Sequence, residues 1–169
     1  TSTEERVTRA KEILVSQDWK PNAEGVLEKK SGKDTMSLSF SISTGDAPEL
    51  RLVAEKLKES WQKLGAKVEV LTFETGELNQ GVIRPRRFDA LLFGEVVGRT
   101  LDLFAFWHSS QRNDPGLNLA VYTNSRVDTL LAEARTMTNR KERESLYLSF
   151  AKILQEERPA IFLYAPELI

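Results

Sequence analysis

The residues best suited to binding or catalysis lie between positions 88 and 111, in the sequence FDALLFGEVVGRTLDLFAFWHSSQ. Two carboxylates, Glu95 and Asp102, stand on either side of Gly98, which closes a short loop after Gly94. Glycines at these positions would let a ligand's backbone come close, because no Cβ intervenes. They are equally typical of a turn that needs positive φ. A ligand-binding loop and a plain turn therefore remain two open interpretations.

An aromatic patch follows, with Phe104, Phe106 and Trp107 ahead of His108, the one histidine of the chain. Such rings could form a stacking wall for a ligand. Their helical spacing from Leu101 and Leu103 favours core packing somewhat more. A lone imidazole needs further metal ligands, which the neighbouring sequence does not supply. We therefore predict neither a metal site nor a cofactor here, and no catalytic residue.

Length and composition favour one soluble globular domain. The chain has 169 residues, of which 40% are hydrophobic and 29% charged. A net charge of -1 argues against nucleic acid as a partner, because phosphate binding needs a broad basic surface. The absence of cysteine excludes disulfides and thiolate chemistry. No run approaches the roughly 18 apolar residues of a spanning helix, so we predict no membrane span.

The first half of the chain has a strand, helix, strand order. A helix is expected over residues 4–15, with Thr3 as its cap. An irregular excursion or a small hairpin follows over residues 17–33. Apolar residues then alternate with serines from Met36 to Ser43. This period of two predicts one strand. A helix capped by Asp46 then ends at Gly65, and the segment 67–73 is the next strand. Such an order predicts a parallel, right-handed crossover.

The second half supplies the strand that would position the loop. One or two helical turns over 74–81 precede an apolar strand over 89–93, which we expect to be the buried central strand. Helices should begin at Ser125, with Asp128 three residues later, and at Asn139, with Glu142 three residues later. Short strands are expected over 119–122 and 160–164. The predicted fold is α/β: a three-layer, open, mostly parallel sheet, whose ligands bind outside the carboxyl ends of the strands.

Several weak motifs, in order, resemble a known family. They are RFDALLFG, the glycine loop, the aromatic cluster ending in HSSQ, YTN with a following VD, and the upstream segments AKEILVSQDWKPNAEGVLEKKSGK and LSFSISTGDAPELRLVAEKLKESWQKLGAKVEV. Together they resemble the C-terminal lobe of the family 5 extracellular solute-binding proteins, the peptide and nickel receptors of ABC importers. The resemblance implies a periplasmic-binding-protein-like lobe over residues 1–169, excised from a longer two-lobed chain.

What the resemblance implies about function is specific. A peptide-like or other small solute would bind in a cleft between lobes, and the full-length protein would deliver it to a membrane permease outside the cytoplasm. The ligand-binding residues implied on this chain are Glu95, Val96, Val97, Gly98, Arg99, Asp102 and Trp107. The family's aspartate for the ligand's α-amine is missing, since Gly98 and Arg99 stand there. Only Asp102 or Glu95 could substitute.

Two alternatives belong to other classes of protein. The chain could be a stand-alone α/β enzyme using the carboxylates Glu95 and Asp102, which would need surroundings that push their two pKa values apart. It could also be an interaction domain whose aromatic patch contacts another protein.

Overall fold

A computed structural model describes residues 2–97 and 102–165, and the chain divides into two compact units, Thr1–Gly94 and Glu95–Ile169. The single lobe over 1–169 stays a prediction. The first unit contains the elements α1 (Thr3–Ser16), β1 (Lys20–Pro21), β2 (Leu27–Ser31), β3 (Asp34–Ser37), β4 (Ser39–Gly45), α2 (Pro48–Gln62), β5 (Lys67–Phe73), α3 (Thr75–Glu77), a π-helical turn (Leu78–Ile83) and β6 (Ala90–Leu91).

Helix α1 and its cap each begin one residue earlier than predicted. Ser2, and not Thr3, is the N-cap: its hydroxyl accepts from the Glu5 N–H at 3.1 Å, and the Glu5 carboxylate accepts from the Ser2 N–H at 2.9 Å. This reciprocal pair satisfies two amides that the helix itself cannot satisfy.

The expected excursion after α1 is an antiparallel sheet of three strands, in the order β1-β2-β3. The single strand predicted from Met36 to Ser43 is wrong, because the chain changes partner at Leu38. Residues before Leu38 pair with β2, and residues after it pair with β5. The backbone of Leu38 joins the two sheets: its N–H donates to Leu27 O at 2.7 Å, and its carbonyl accepts from the Lys67 N–H at 2.9 Å.

The main sheet is parallel, with the strand order β5-β4-β6. Strands β4 and β5 pair from Ser39↔Lys67 to Gly45↔Phe73, joined by α2, as the crossover prediction required. The α/β class with a mostly parallel open sheet is confirmed. Helix α2 begins with Pro48 after Ala47, without a side-chain cap, so the capping role expected of Asp46 is wrong. The turn that follows the C-terminus of α2 ends at Gly65, whose φ is 93°.

Strand β6 differs from the expected central strand over 89–93. It is two residues long, half-buried, and pairs only with β4 at one edge of the described sheet; β4 is the central strand. The ladder between β6 and β4 is short because hydrogen bonds to a side chain replace backbone pairing at its start. The Asp89 carboxylate accepts from the N–H and the hydroxyl of Ser41, both at 2.9 Å. These hydrogen bonds lower the pKa of Asp89.

The second unit is helical in its described part, with α4 (Phe104–Trp107), a 3₁₀ turn (Ser109–Gln111), α5 (Ser125–Thr136) and α6 (Arg140–Glu157). Its core is formed by Trp107, Val127, Leu131, Phe150 and Leu154. No helix in the described residues is both long and apolar enough to span a bilayer.

Four local predictions in this unit can be compared with the structure. Asn139 caps α6 as expected, but α5 is capped by Asn124, not by an Asp128 capping box. Residues 119–122 form a turn with Val121 at φ 52°, a conformation incompatible with a strand. Residues 160–164 pair with no strand in the described part of the chain.

Candidate functional site

The carboxyl ends of the three parallel strands lie at one edge of the main sheet. Strand β4 ends at Gly45, β5 at Phe73 and β6 at Leu91. The fully buried Thr44 donates its hydroxyl to the Leu92 carbonyl at 3.0 Å, just where the chain leaves β6. This bond fixes the direction in which the chain departs from the sheet edge. Open α/β sheets bind ligands at such an edge.

The described part of the loop after β6 presents apolar side chains to solvent. Val96 is 85% exposed, Phe93 48% and Val97 39%. A single exposed apolar residue needs no explanation, but three of them within five positions form an exposed apolar segment, which is typical of a surface that another molecule covers. Gly94 leaves open space where a Cβ would be, so nothing in the described chain crowds this turn.

Glu95 is the ionisable group of the same segment. Its side chain reaches solvent, but the protein around it removes part of its hydration, and this desolvation raises the pKa of Glu95 from 4.5 to about 7. The carboxyl is therefore partly protonated at neutral pH. The predicted ligand contacts of Gly98 and Arg99 lie outside the described residues and stay predictions.

Asp102 is held by its own unit. Its Oδ2 accepts from Arg135 Nε at 3.1 Å and from Arg135 Nη2 at 2.9 Å, while Oδ1 accepts from the Phe104 N–H at 3.2 Å. The carboxylate therefore accepts from the first amide of α4 and is paired with the last turn of α5. The enzyme hypothesis needs Asp102 as a reacting group, and this pairing gives it a structural task.

The aromatic patch is divided between the core and the surface. Trp107 is 9% exposed and packs against Tyr122, Phe150 and Phe162, with ring centroids 5.9–6.4 Å apart. This position fits the core-packing interpretation, and a ligand contact by Trp107 stays a prediction. Phe104 instead stacks on His108 at 4.0 Å and carries the Arg135 guanidinium over its ring at 4.3 Å.

His108 works as a local cap. Its Nδ1 accepts from the Ser110 N–H at 3.1 Å and lies 2.8 Å from the Ser110 hydroxyl. The neutral imidazole that makes this hydrogen bond carries its proton on Nε2. Nε2 lies 3.9 Å from Asp128 Oδ1, and Asp128 accepts from the N–H and hydroxyl of Ser109. Among the described residues, no three His, Asp or Glu side chains form a group that could hold a metal ion.

Asn118 organises the second unit and was missed from the sequence. It is fully buried; its Nδ2 lies within 3.3 Å of the carbonyls of Trp107, His108 and Tyr122, and its Oδ1 accepts from the Tyr122 N–H at 3.1 Å. A polar residue between Leu117 and Leu119 was the only sequence signal.

Tyr122 continues this network to α6. Its hydroxyl donates to the Glu157 carboxylate, which also accepts from Asn124 Nδ2 at 2.8 Å. Desolvation, together with the neighbouring Glu157, raises the pKa of Tyr122 to about 12.

No family model matches the chain, but individual proteins do. The oligopeptide-binding protein AppA of Bacillus subtilis is 30% identical over 161 residues, which are 94% of this chain and 29% of AppA. Di/tripeptide-binding protein 1 of Pseudomonas aeruginosa is 27% identical over 126 residues, covering 66% of this chain and 21% of that protein.

Solved structures agree with these relatives. The structure of Bacillus subtilis AppA with a nonapeptide matches with a TM-score of 0.80 and 28% identity, covering 90% of this chain and 30% of AppA. NikZ of Campylobacter jejuni, in complex with Ni(L-His), matches with a TM-score of 0.73 and 28% identity over the same shares. The chain thus spans between 21% and 30% of the length of these relatives.

Proposed function

From the fact that the chain belongs to the family 5 extracellular solute-binding proteins, we propose that it is part of an ABC-importer receptor. In this proposal it forms the C-terminal lobe of a two-lobed protein and contributes one wall of the cleft. The cleft binds a peptide-like or other small solute outside the cytoplasm, and the whole receptor delivers it to a membrane permease.

The observation that carries the proposal is the sheet edge with its exposed loop, in a chain related to AppA over 94% of its length. Phe93, Val96 and Val97 offer apolar contacts to solvent there, while Thr44 holds the departing backbone in place. In a two-lobed receptor, such a surface becomes buried when the lobes close on ligand.

Of the seven residues that the family resemblance implies as ligand contacts, we propose that those of the loop bind the solute and that the other two support it. Glu95, Val96 and Val97 contact the solute directly, and Gly98 and Arg99 continue the same loop in sequence. Asp102 accepts a hydrogen bond from the start of α4, and Trp107 lies in the hydrophobic core, against which Phe104 and Phe106 of the aromatic patch pack. The relatives reported above are binding proteins, and we propose that this chain likewise binds a solute and does not transform it.

The test is calorimetric titration of the full-length receptor that contains this chain. The ligands are a library of peptides of two to nine residues and Ni²⁺ complexed with histidine. We expect at least one class to bind with the heat and stoichiometry of a single site. Absence of binding across both classes would contradict the receptor proposal.

A second titration tests the two-lobe part of the proposal. The isolated chain is titrated with the ligand that the full-length receptor binds best. We expect affinity to fall by at least a hundredfold, because the chain supplies only one wall of the cleft. Equal affinity of the isolated chain would contradict the two-lobe account while leaving the binding function standing.

A further inference from the structure

The HSSQ motif, residues 108–111, forms a small capped turn in the second unit. The 3₁₀ turn Ser109–Gln111 begins directly after His108, whose backbone is extended, with φ -70° and ψ 139°. The Gln111 N–H donates to the His108 carbonyl at 3.0 Å and closes the turn. The first amides of a helical turn have no backbone acceptor within it, so a side chain has to supply one. For Ser110 this acceptor is the imidazole of His108.

Only the neutral imidazole can make this contact. Its unprotonated Nδ1 accepts from the Ser110 N–H at 3.1 Å and lies 2.8 Å from the Ser110 hydroxyl. An imidazolium carries a proton on each ring nitrogen and can only donate. Because the Ser110 N–H is also a donor, protonation of His108 brings two donors face to face, and the hydrogen bond is lost.

The other ring nitrogen of His108 faces a carboxylate. Nε2 lies 3.9 Å from Asp128 Oδ1, beyond hydrogen-bond distance, and the two side chains are only 18% and 21% exposed, so water screens their attraction weakly. Asp128 already accepts from the N–H and the hydroxyl of Ser109, at 2.8 and 2.6 Å. A carboxylate can accept roughly four hydrogen bonds. Asp128 can therefore accept from an imidazolium without releasing Ser109.

Two guanidinium groups also lie near the ring, and both are engaged. That of Arg135 lies 4.3 Å over the Phe104 ring, on which His108 stacks at 4.0 Å, and it is paired with Asp102 at 2.9 Å. That of Arg112 donates to the carbonyl oxygen of the residue after His108. Because both groups are cations, neither attracts an imidazolium. A protonated ring is drawn towards the carboxylate on α5 instead.

We propose that His108 is a pH-sensitive cap. When it is neutral, it holds the Ser110 amide and with it the turn Ser109–Gln111. When it gains a proton, it releases Ser110 and its ring turns towards Asp128. Imidazole is the side chain that changes charge between about pH 5 and 8, so the turn loosens on mild acidification. The cap lies within the second unit, and its response to pH therefore does not require a bound solute.

The test is NMR spectroscopy of the full-length receptor without ligand, between about pH 8 and pH 5. The histidine rings and the serine amides are labelled with ¹⁵N, and the signals of His108 and Ser110 are identified by their absence from H108N and S110A. The ring nitrogen shifts report protonation and tautomer, and the Ser110 amide proton shift reports the cap. An imidazolium Nε2–H signal that is protected from exchange reports the hydrogen bond to Asp128.

Three variants separate the parts of the proposed device. H108N keeps a side chain that can cap the turn but cannot gain a proton. D128N removes the carboxylate that faces the ring. E133Q is the matched control for D128N, because Glu133 is an exposed acid on the same helix α5.

In the native receptor and in E133Q, we expect the Ser110 amide proton to shift upfield with the same midpoint as the His108 ring nitrogens, and a protected Nε2–H signal to appear at low pH. H108N should leave Ser110 unshifted. D128N should keep the Ser110 shift and lose the protected signal. A Ser110 amide that does not follow the ring, a ring that stays neutral at low pH, or a Ser110 shift in H108N would overturn the pH-sensitive cap. A protected Nε2–H signal in D128N would overturn the role of Asp128.

Discussion

The two units differ in how they use polar side chains. In the first unit, backbone ladders hold the sheets, and the few long-range side-chain bonds, such as those of Thr44 and Asp89, fasten β6 to β4. In the second unit, side-chain networks around Asn118, Asp102 and Asp128 join the helices to the turns between them.

This difference shows which polar residues of the chain have structural roles. Asp102, His108 and Asp128 are the residues with the most reactive side chains, and in the second unit their polar groups make structural hydrogen bonds and ion pairs. Phe93, Val96 and Val97, by contrast, are among the apolar residues that the described chain leaves exposed. We therefore propose that solute binding depends more on the exposed apolar side chains of the loop after β6 than on the polar residues that are conspicuous in the sequence.

The strongest test of the comparison removes the aromatic centre of the second unit. Trp107→Ala should destabilise that unit by about 3–5 kcal/mol, because it deletes a buried ring and leaves a cavity beside Phe150 and Leu131. Urea unfolding followed by circular dichroism measures this. Leu148→Ala in α6 is the control, since Leu148 is 68% exposed and should cost less than about 0.5 kcal/mol. Equal effects would mean that Trp107 is not a core residue.

A second variant tests whether the polar network stabilises the helical unit. Asn118→Ala should cost about 3 kcal/mol, the upper end of the usual range for a buried group left without its hydrogen-bond partner, because several backbone groups lose Asn118 at once. The same urea unfolding applies. Asn113→Ala, an exposed neighbour, should change the free energy of unfolding by less than about 0.5 kcal/mol. A neutral Asn118→Ala would remove the contrast between the units.

The corresponding change in the first unit should be smaller. Thr44→Val keeps the shape of the side chain and removes only the hydroxyl that donates to Leu92 O, so about 1 kcal/mol is expected. The exposed Thr72→Val in β5 serves as the matched substitution, with no loss expected. If Thr44→Val cost as much as Asn118→Ala, side-chain bonds would matter equally in both units.

The smallest effect concerns pH. Because the folded pKa of Glu95 is about 7 against an ordinary 4.5, the folded state binds this proton more tightly than the unfolded state. This contribution therefore favours folding below pH 4.5 and is lost as the pH rises towards 7 and above. Glu95→Gln should gain stability relative to the native chain at pH 8 compared with pH 5, measured as the difference in Tm. Glu156→Gln, exposed on α6, should follow the native pH profile; a native-like profile for Glu95→Gln would exclude the effect.

Local signals predicted much of the fold. The segment 67–73 was bounded correctly by its composition and by Gly65, and Asn139 with Glu142 marked the start of α6, because ladders and caps depend on neighbouring residues. The break at Leu38 could not be predicted. The alternation of apolar residues and serines continues through it without change, and only the choice of partner strand, a non-local matter, separates β3 from β4.

The candidate site was likewise only partly predictable from local sequence signals. The glycine-bounded loop after an apolar strand was visible in the sequence, since turn residues act locally. The pairing of Asp102 with Arg135 was not, because the two residues are 33 positions apart and no periodicity connects them. Burial of Trp107 likewise depends on α5 and α6, which follow it in the chain.

The backbone bonds of Leu38 have a mechanical consequence. The Leu27 N–H also donates to Gly65 O at 2.8 Å, so both sheets of the first unit are stitched together at the point where β5 begins. A displacement of one sheet relative to the other would break several of these backbone hydrogen bonds at once. We therefore expect the two sheets of the first unit to move together.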